Sequence, residues 1–379
     1  MRGWREREMK KLKKIKKIAL TGGGTAGHIS PTLLVANELE KMSPSTKFIY
    51  IGSKSGMESK IVPGTGIRYF GISAGKIRRY WSFRNFLTPI FVLVGFFQSL
   101  FILAHEKPDI IYAKGGYVTV PPVIAGWFLK IPSVIHESDS VLGLANRILS
   151  IFAKKIATAY PVKYYPVKLH KKIIWVGLPV RQELISAEKN QGYQIFGLSD
   201  KLPTVLIFGG SQGARKINQL FLGKIGQILN NCQVIHLTGK YDYQKALKKR
   251  KTLKSELRER YQVFDFLFDE MPYAEKVADL IVARCGANTL TEIAAARKAS
   301  ILIPLPSSAA NHQFFNAQIF KENKAAQVLS EDNLKPKILA KKIIDLISRP
   351  FLLKQLGENA AQFYQPDATQ KIAEEILNL

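Results

Sequence analysis

The chain carries one local pattern twice: a short apolar run, a glycine-rich turn, and a stretch with the periodicity of a helix. The pattern occurs in "KIALTGGGTAGHISPTLLVANELEK" from residue 17 and in "TVLIFGGSQGARKINQLFLGKI" from residue 204. Strand-like and helix-like stretches alternate after each occurrence. Such alternation is typical of a parallel sheet covered by helices on both faces. The sequence therefore predicts an α/β fold made of two doubly wound halves.

The length of the chain, 379 residues, exceeds what one hydrophobic core usually supports, so two domains are expected. A last helix is expected to return to the first domain. The predicted divisions are a basic tail at 1–17, a first domain at 18–178, a second domain at 179–357 and the returning helix at about 358–379.

Composition narrows the partners and the compartment. The formal net charge is +27, and residues 1–17 contribute only nine Lys or Arg against two Glu, so most of the excess lies elsewhere. This charge favours anionic partners, which include nucleic acid, a membrane surface and phosphorylated substrates. We interpret the tail as a solvated run. Cys232 and Cys285 form no C-x-x-C motif, so neither a disulfide framework nor a zinc site is indicated and a reducing cytoplasm is favoured.

One apolar segment, "FLTPIFVLVGFFQSLFILAH" at residues 86–105, is long enough to cross a bilayer and carries no Asp, Glu, Lys or Arg. Pro89, Gln98, Ser99 and His105 interrupt it, and a Pro-Asp turn into another strand follows. A crossover helix of a βαβ unit, buried on one side, explains these features better than a membrane span.

The first glycine loop contains Gly22, Gly24 and Gly27 in the spacing G-x-G-x-x-G. Glycines at the end of a strand let a ligand approach the backbone, and the following helix presents free N–H groups to an anion. A dinucleotide loop needs an acid at the end of the second strand, and the first acid here is Glu58, beyond that strand. No G-x-x-x-x-G-K-[ST] motif occurs either. We therefore predict an anion-binding loop of another kind.

The second loop, "GGSQGAR" at residues 209–215, also fits the nucleophile elbow of serine hydrolases, with Ser211 as the nucleophile. The residues that could complete a Ser–Asp–His order are Asp265, Asp269, Asp279 and His312. An elbow explains neither the first loop nor the second start of the fold. We favour a ligand-binding loop and keep the hydrolase as an alternative.

Polar side chains follow two later strands, where ligands bind in open α/β sheets. The stretch "RCGANTLTEIAAA" places Gly286 after a strand and Glu292 in the helix that follows. A carboxylate there can accept hydrogen bonds from both ribose hydroxyls of a nucleotide. Asn311 and Gln313 open the next helix at its positive end. Taken singly, a solvated acid and a helix cap remain alternative interpretations of Glu292 and Gln313.

Eight stretches between residue 22 and about residue 320 occur together in one known family and in the same order. They are "GGGTAGHISP", "SAGKIRRY", "KGGYVTVP", "IPSVIHESDSVLGLANR", "VGLPVR", "IFGGSQGARKIN", "CGANTLTEIAAA" and "NHQFFNAQIF". In these stretches the chain resembles the MurG family of peptidoglycan glycosyltransferases, which add N-acetylglucosamine (GlcNAc) to undecaprenyl-pyrophosphoryl-MurNAc-pentapeptide. Chance matches to one stretch are common, but chance matches to all eight are not.

The resemblance implies a GT-B fold, in which two doubly wound Rossmann-like domains face each other across a cleft. It implies an inverting transfer of GlcNAc from UDP-GlcNAc to the C4 hydroxyl of the lipid-linked MurNAc, which converts lipid I to lipid II in peptidoglycan synthesis. No cofactor and no metal are implied, and no D-x-D motif occurs. The expected location is the cytoplasmic face of the cell membrane, as a peripheral enzyme. Nucleic acid is not an expected partner, because no RNA-binding motif accompanies the charge.

The resemblance also assigns substrate contacts. The second half of the chain is implied to hold the donor, with Glu292 on the ribose and Gln313 on the GlcNAc hydroxyls. Asn146 is implied on the acceptor side. The full set implied for substrate binding is Thr25, Ala26, Gly27, Asn146, Arg181, Ser211, Phe268, Ala287, Asn288, Thr289, Leu290, Thr291, Glu292 and Gln313.

His28, at the end of the first loop, is the candidate catalytic base. A neutral imidazole with an ordinary pKa of about 6.5 can take a proton from the acceptor hydroxyl at cytoplasmic pH. A structural histidine at the start of the helix is the alternative. One departure from the family lies nearby: some members read "HEQN" where this chain reads "HESD", so a substrate contact by Asp139 stays open.

A basic and aromatic stretch, "AGKIRRYWSFRNFL" at residues 74–87, suits an anionic membrane surface. Its cations can meet head groups while its aromatic side chains enter the interface; these residues are Lys76, Arg78, Arg79, Trp81, Phe83, Arg84, Phe86 and Leu87. Aromatics buried in the first domain are the alternative. Besides the hydrolase, the competing functions are a basic nucleic-acid-binding protein and a UDP-GlcNAc epimerase of the same fold.

Overall fold

The protein forms two compact units, each built on one parallel β-sheet. The residues described by the computed structural model are 15–24, 26–75, 88–210 and 213–379, with the backbone alone for Ala26. The first unit contains the described chain up to Pro179 together with Asp367–Leu379, and the second contains Val180–Pro366. The α/β class predicted from the alternating pattern is therefore confirmed.

The sheet of the first unit is doubly wound. Its strands are β1 (Lys17–Thr21), β2 (Lys47–Ser53), β3 (Arg68–Ile72), β4 (Ile110–Ala113), β5 (Ser133–Glu137), β6 (Lys155–Thr158) and β7 (Ile173–Trp175). Their order across the sheet is β3-β2-β1-β4-β5-β6-β7, with all pairs parallel. The chain therefore runs outward from β1 to one edge and from β4 to the other, with a topological switch point between β1 and β4.

Helices cover both faces of this sheet. Those of the first unit are α1 (Ala26–Met42), α2 (Glu58–Ile61), α3 (Thr88–Glu106), α4 (Val120–Phe128), α5 (Leu144–Leu149) and, at the end of the chain, α17 (Ala368–Leu377). Val35 and Leu39 of α1 share a buried cluster with Ile18 of β1 and with Ile372 and Ile376 of α17. This packing explains why the last segment of the chain belongs to the first unit.

The second sheet repeats the arrangement with one strand fewer. Its strands are β8 (Thr204–Phe208), β9 (Gln233–Leu237), β10 (Tyr261–Phe264), β11 (Leu280–Ala283), β12 (Ala299–Leu302) and β13 (Gln327–Val328). Their order is β10-β9-β8-β11-β12-β13, again parallel throughout. The switch point lies between β8 and β11, so both glycine loops leave their sheets beside a switch point.

The helices of the second unit complete its two outer layers. They are α6 (Gln182–Ser186), α7 (Lys189–Phe196), α8 (Arg215–Leu222), α9 (Ile225–Leu229), α10 (Lys240–Lys251), α11 (Ser255–Glu259), α12 (Met271–Val277), α13 (Ala287–Ala295), α14 (His312–Glu322), α15 (Pro336–Ile347) and α16 (Pro350–Ala361). Ile217 and Phe221 of α8 meet Leu339 and Ile343 of α15 in the buried cluster over β8.

The structure departs from the predicted pattern in three places. The edge strand β3 was not predicted, because it is short and exposes Arg68 and Gly71. Residues 185–203, a polar stretch in which the sequence shows no clear periodicity, contain the end of α6 and all of α7; the two helices bury only Leu184, Gly192 and Phe196. The returning segment begins at Asp367 rather than near residue 358, because α16 packs on β12 and α13 of the second unit.

The apolar segment forms the predicted helix, α3, which packs against α4. Gln98 accepts a hydrogen bond from the backbone N–H of Ser73 at 2.7 Å, so one polar interruption ties α3 to the end of β3. The opposite face is exposed, with Phe101 77% accessible. Within the described chain, α3 alone is long and apolar enough to span a membrane. Residues 76–87 of the basic and aromatic stretch at 74–87, and the first 14 residues of the basic tail, lie outside the described residues.

Candidate active site

The first glycine loop is anchored by Glu58, whose side chain is fully buried at the start of α2. Its carboxylate accepts hydrogen bonds from the backbone N–H groups of Gly24 and Ser53, both at 3.1 Å, and from the Ser53 hydroxyl at 2.6 Å. A Cβ atom at Gly23 would lie 2.5 Å from this carboxylate, so any larger residue there would displace it from these hydrogen bonds. The acid whose position argued against a dinucleotide loop therefore holds the loop in shape.

Helix α1 begins immediately after this loop, at Ala26; Thr25, the residue before it, lies outside the described residues. Gly27 and His28 are partly buried in its first turn. The His28 ring packs against the turn that follows β4: a Cβ atom at Gly116 would lie 3.5 Å from its Cδ2. Gly116 has φ +88°, and its added Cβ would lie 2.4 Å from the Gly23 carbonyl oxygen. The two turns therefore pack backbone to backbone, which requires glycine.

The environment of His28 keeps its ring neutral. Burial is the main reason that the pKa of His28 is lowered to about 4, and the positive charge of Lys114 is the second. A hydrogen bond with the Lys114 backbone and the charge of Glu58 act in the opposite direction. Nδ1 accepts no hydrogen bond from any described residue, so we assign the bond with the Lys114 carbonyl to Nε2–H. In this tautomer Nδ1 carries the lone pair that can accept a proton.

Asn146 is held at the start of α5 by the end of β5. Its Nδ2 donates to the Glu137 carboxylate at 3.0 Å and to the His136 carbonyl at 3.2 Å. Its Oδ1 is buried and has no partner among the residues that the structure describes. A Cβ atom at Gly115 would lie 3.4 Å from Asn146 Nδ2 and 3.6 Å from His28 Cε1. The fold thus brings the candidate base and the candidate acceptor-side residue to the same glycine turn.

Asp139 lies in the turn after β5. Its backbone N–H donates to Glu137 at 3.0 Å, and its carbonyl accepts the Tyr165 hydroxyl at 2.9 Å. These backbone bonds do not depend on the identity of its side chain, so a change from asparagine to aspartate leaves this turn intact. Contact between Asp139 and substrate stays an open prediction.

The second glycine loop follows β8 and is equally constrained. Gly213 has φ +76°, and a Cβ atom there would lie 2.3 Å from the Thr238 carbonyl oxygen. Its N–H donates to the Gly210 carbonyl at 2.9 Å. Ser211 lies between these residues, outside the described part of the chain.

Of the three aspartates that could complete a hydrolase triad with Ser211, the structure places Asp279 away from the loop that carries this serine. The Asp279 carboxylate accepts the N–H of Thr204 at 2.8 Å, at the amino end of β8. The loop that carries Ser211 leaves the carboxyl end of that strand, so Asp279 lies at the opposite edge of the sheet. His312 bonds through Nδ1 to the Ala309 carbonyl, at 2.8 Å. The structure gives no support for a triad that uses Asp279.

Arg181 and Phe268, both implied for the donor, are in direct contact. Arg181 Nη1 donates to the Phe268 carbonyl at 2.9 Å, and its guanidinium lies 5.6 Å from the centre of the Phe268 ring. The same positive charge lowers the pKa of Glu292, whereas burial, the larger effect, raises that pKa to about 7. Three residues far apart in sequence therefore share one region of the second unit.

Glu275, on α12, is a further acid in this region that sequence reasoning missed. It is only 2% exposed, and its Oε1 has no hydrogen-bond partner within the described chain. Burial, and after it the charge of Glu292, raise the pKa of Glu275 well above its ordinary value. The two acids therefore titrate as a pair. No sequence signal distinguishes this glutamate from a solvated one on a helix surface.

The first six residues of α13, Ala287–Glu292, were all implied for contact with the nucleotide, but their side chains differ in exposure. Leu290 is 1% exposed and belongs to the core. Asn288 is exposed, and Thr289, Thr291 and Glu292 are partly exposed. The side chain of Leu290 therefore cannot meet a ligand without displacement from the core.

Gln313 is the second residue of α14. Its Oε1 accepts the backbone N–H of Leu305 at 3.0 Å and that of Cys285 at 3.3 Å. It therefore joins the segments that leave β11 and β12. Since the oxygen is engaged with the backbone, the donor group Nε2 is what Gln313 can offer to a sugar hydroxyl.

Comparison with known proteins agrees with this architecture. Models for the N-terminal and C-terminal domains of glycosyltransferase family 28 match residues 18–158 and 204–372. Over 330 residues the chain is 40% identical to the UDP-N-acetylglucosamine--N-acetylmuramyl-(pentapeptide) pyrophosphoryl-undecaprenol N-acetylglucosamine transferase of Clostridium botulinum, covering 87% of this chain and 90% of the relative. The chain belongs to this transferase family.

Two further likenesses extend across nearly the whole chain. The transferase of the same name from Clostridium kluyveri is 36% identical over 94% of this chain and 98% of its own. The crystal structure of Acinetobacter baumannii MurG matches with a TM-score of 0.77 and 27% identity, over 96% of this chain and 100% of that one. Family membership and two Rossmann-like sheets confirm the predicted GT-B fold class.

Proposed function

We propose that the protein transfers GlcNAc from UDP-GlcNAc to the C4 hydroxyl of undecaprenyl-pyrophosphoryl-MurNAc-pentapeptide, with inversion, and so converts lipid I to lipid II in peptidoglycan synthesis. The observation that carries the proposal is the 40% identity to a transferase of that name, across 90% of its length. No metal or other cofactor takes part in the proposed reaction.

The donor is proposed to bind at the Arg181 region of the second unit. A carboxylate at Glu292 accepts hydrogen bonds from the ribose hydroxyls, and Gln313 Nε2 donates to the GlcNAc hydroxyls. Arg181 and the N–H groups of the loop after β8 offset the charge that develops on the leaving UDP. The contact between Arg181 and Phe268 supports this grouping, because it holds the guanidinium in one position.

In the transfer step, the acceptor O4 forms a bond to the anomeric carbon while the bond from that carbon to the UDP oxygen breaks. The O4 proton passes to Nδ1 of His28, and the electron pair of the broken bond leaves with UDP. Attack from the side opposite UDP inverts the anomeric centre. A lowered His28 pKa keeps the ring unprotonated before the reaction, and an acceptor pyrophosphate bound near the glycine loop would raise that pKa again.

Attachment to an anionic membrane surface is the second part of the proposal, since the acceptor is a lipid. Exposed apolar side chains of α3, α4, α5 and the residues just after them support it: Ile90, Phe91, Leu93, Val94, Phe97, Phe101, Trp127, Phe128, Leu144, Ile148 and Ile151. A ring contact between Phe96 and Phe128 joins α3 to α4 in this surface, and Phe128 also contacts the ring of Trp127, its neighbour in α4. A surface of this kind marks a membrane or protein contact. The basic and aromatic stretch at 74–87 directly precedes α3 in the chain.

The proposal is tested by measuring UDP release from UDP-GlcNAc with and without the lipid-linked MurNAc acceptor. We expect release that depends on the acceptor and that falls sharply in Arg181→Met. Release at the same rate without acceptor would overturn the transferase assignment. Labelling of Ser211 by a fluorophosphonate probe would instead support the hydrolase.

A further inference from the structure

Lys114 lies directly after β4, with no exposed surface. Its Nζ donates to the Ser138 hydroxyl at 2.5 Å, and its backbone N–H donates to the Thr21 carbonyl at 2.9 Å. It therefore joins the switch-point strands to the turn after β5. A lysine so deeply buried costs free energy unless its charge is balanced nearby.

The balancing charge is Glu137, at the end of β5. Its carboxylate accepts the N–H groups of Ser138 at 2.8 Å, Asp139 at 3.0 Å and Gly143 at 2.8 Å, besides the amide of Asn146. Burial and, after it, the charge of Asp139 raise the pKa of Glu137, and the hydrogen bonds from Asp139, Gly143 and Asn146 oppose that effect. An ionised carboxylate accepts all four bonds, whereas a protonated one loses part of this capacity.

The orientation of Asn146 follows from the charge on Glu137. Because Nδ2 is bound by Glu137 and the His136 carbonyl, Oδ1 is left to accept a hydrogen bond. The charge of Lys114 also acts on His28, because it adds to burial in lowering the pKa of that ring and so favours the neutral form with Nδ1 unpartnered. One residue thus acts on both unpartnered acceptors of the site.

We propose that Lys114 is a positioning residue for the transfer step, a role that rests on the function proposed above. Its ammonium group holds Ser138 and keeps Glu137 ionised, which keeps the amide of Asn146 in place, and the same charge keeps the ring of His28 neutral. Two hydrogen-bond acceptors are thereby held next to Gly115, where they suit the hydroxyl groups of the acceptor sugar.

The charge of Lys114 influences the pKa values of neighbouring groups, and this influence can be measured. Glu137 and Asp139 raise the pKa of Lys114, but burial outweighs them and lowers it to about 8. The ammonium form therefore dominates at neutral pH. That charge lowers the pKa values of both His28 and His136, and the charge of Glu58 acts on His28 in the opposite direction. Removal of the Lys114 charge must then move the titration of His28 upward.

The test compares Lys114→Met with Lys172→Met, a matched control. Lys172 also holds backbone carbonyls of the first unit, those of Ser150, Ile151 and Ala153, but it lies away from the glycine turns. We expect Lys114→Met to lower kcat by ~10-fold or more with UDP affinity unchanged, since geometry rather than donor binding is lost. With UDP-GlcNAc saturating, so that the titration of Glu292 does not limit donor binding, the acid limb of its kcat profile is expected at higher pH than in wild type. Lys172→Met is expected to keep the wild-type kcat and profile.

A measurement without turnover separates this inference from the proposed function. The His28 ring is titrated by NMR in the free protein, with its signals assigned from a His28→Gln spectrum. We expect the His28 midpoint to rise in Lys114→Met and to stay in place in Lys172→Met. If Lys114→Met does not fold, the charge-balanced double variant Lys114→Met, Glu137→Gln is used, with the same expectation for His28. An unchanged His28 midpoint in a folded variant would overturn the role of Lys114 whether or not the wild type transfers GlcNAc.

Discussion

The guanidinium of Arg181 donates a hydrogen bond to the Phe268 carbonyl and lies against the ring of the same residue, which is 66% exposed. One side chain therefore fixes the segment after β10 from the start of α6, although 87 positions separate the two residues. Glu292 lies close enough for its pKa to respond to the same charge. This cluster is where the donor nucleotide is expected, and it gives the firmest predictions.

Glu292→Ala is expected to weaken UDP binding by ~1–3 kcal/mol, the cost of leaving ribose hydroxyls without their acceptor. Isothermal titration calorimetry at pH 8 measures the effect. Glu183→Ala, an exposed acid on α6, serves as the control and should bind UDP as wild type does. Equal affinity for UDP in Glu292→Ala and wild type would remove Glu292 from the site.

UDP affinity is also expected to depend on pH. Burial raises the pKa of Glu292 to about 7, and only the ionised carboxylate accepts from both ribose hydroxyls. Affinity should therefore be greatest above pH 7 and fall, by at most about tenfold per pH unit, as the pH drops below it. Calorimetry between pH 5.5 and pH 8.5 is done on wild type and on Glu292→Gln. The titration of UDP itself affects both proteins equally, so the difference between their pH profiles reports on Glu292.

Glu275→Gln provides the control for that series. Since the pKa of Glu275 is raised well above its ordinary value, glutamine resembles its protonated form. The variant should keep the wild-type pH dependence of UDP affinity. A Glu292→Gln profile as steep as that of wild type would show that another group controls the binding.

His28→Ala is expected to lower turnover by ~10²-fold or more and to leave UDP affinity nearly intact, as for the loss of a general base. The pKa of His28 is lowered to about 4, so protonation disables this base only as the pH falls towards 4. Activity of the wild type should therefore show no loss attributable to His28 between pH 6 and pH 8. Near wild-type turnover in His28→Ala would reduce His28 to a structural role.

Membrane attachment is expected to depend on both the apolar and the basic surface. Binding to anionic liposomes should weaken as salt rises, because the charges are screened. Binding should weaken further in two double variants, one that combines Phe97→Ser with Phe101→Ser and one that combines Trp81→Ala with Phe83→Ala. Phe351→Ser, an exposed aromatic of the second unit, is the control and should bind as wild type does. Salt-insensitive binding, or two double variants that bind fully, would exclude these surfaces as the anchor.

The fold was predictable from the sequence pattern that occurs twice in the chain. Two strand–glycine–helix patterns were enough to predict two doubly wound sheets, and the strands at their centres carry continuous apolar runs because both faces are covered. The edge strand β3 was missed because an edge tolerates an exposed arginine and a glycine, Arg68 and Gly71, which blur the pattern. Helices α6 and α7 were missed because they bury few side chains.

The candidate site was predictable in its residues but not in its electrostatics. Lys114 reads as an ordinary surface lysine until β4 is placed between β1 and β5, where its side chain has no route to solvent. Glu58 served only to argue against a dinucleotide loop, yet it holds that loop. Glu275 becomes informative only once α12 encloses it. Burial depends on contacts between distant segments, so the sequence carries no local sign of these roles.

The most direct test of the central claim is the identity of the product made from UDP-GlcNAc and the lipid-linked MurNAc-pentapeptide acceptor. Mass spectrometry of the extracted lipid should show the addition of a single N-acetylhexosamine, and NMR of the released disaccharide should show a β-linkage to C4 of MurNAc. Arg181→Met should form little of this product under the same conditions. An unmodified lipid together with released UDP or an epimerised sugar nucleotide would contradict the account.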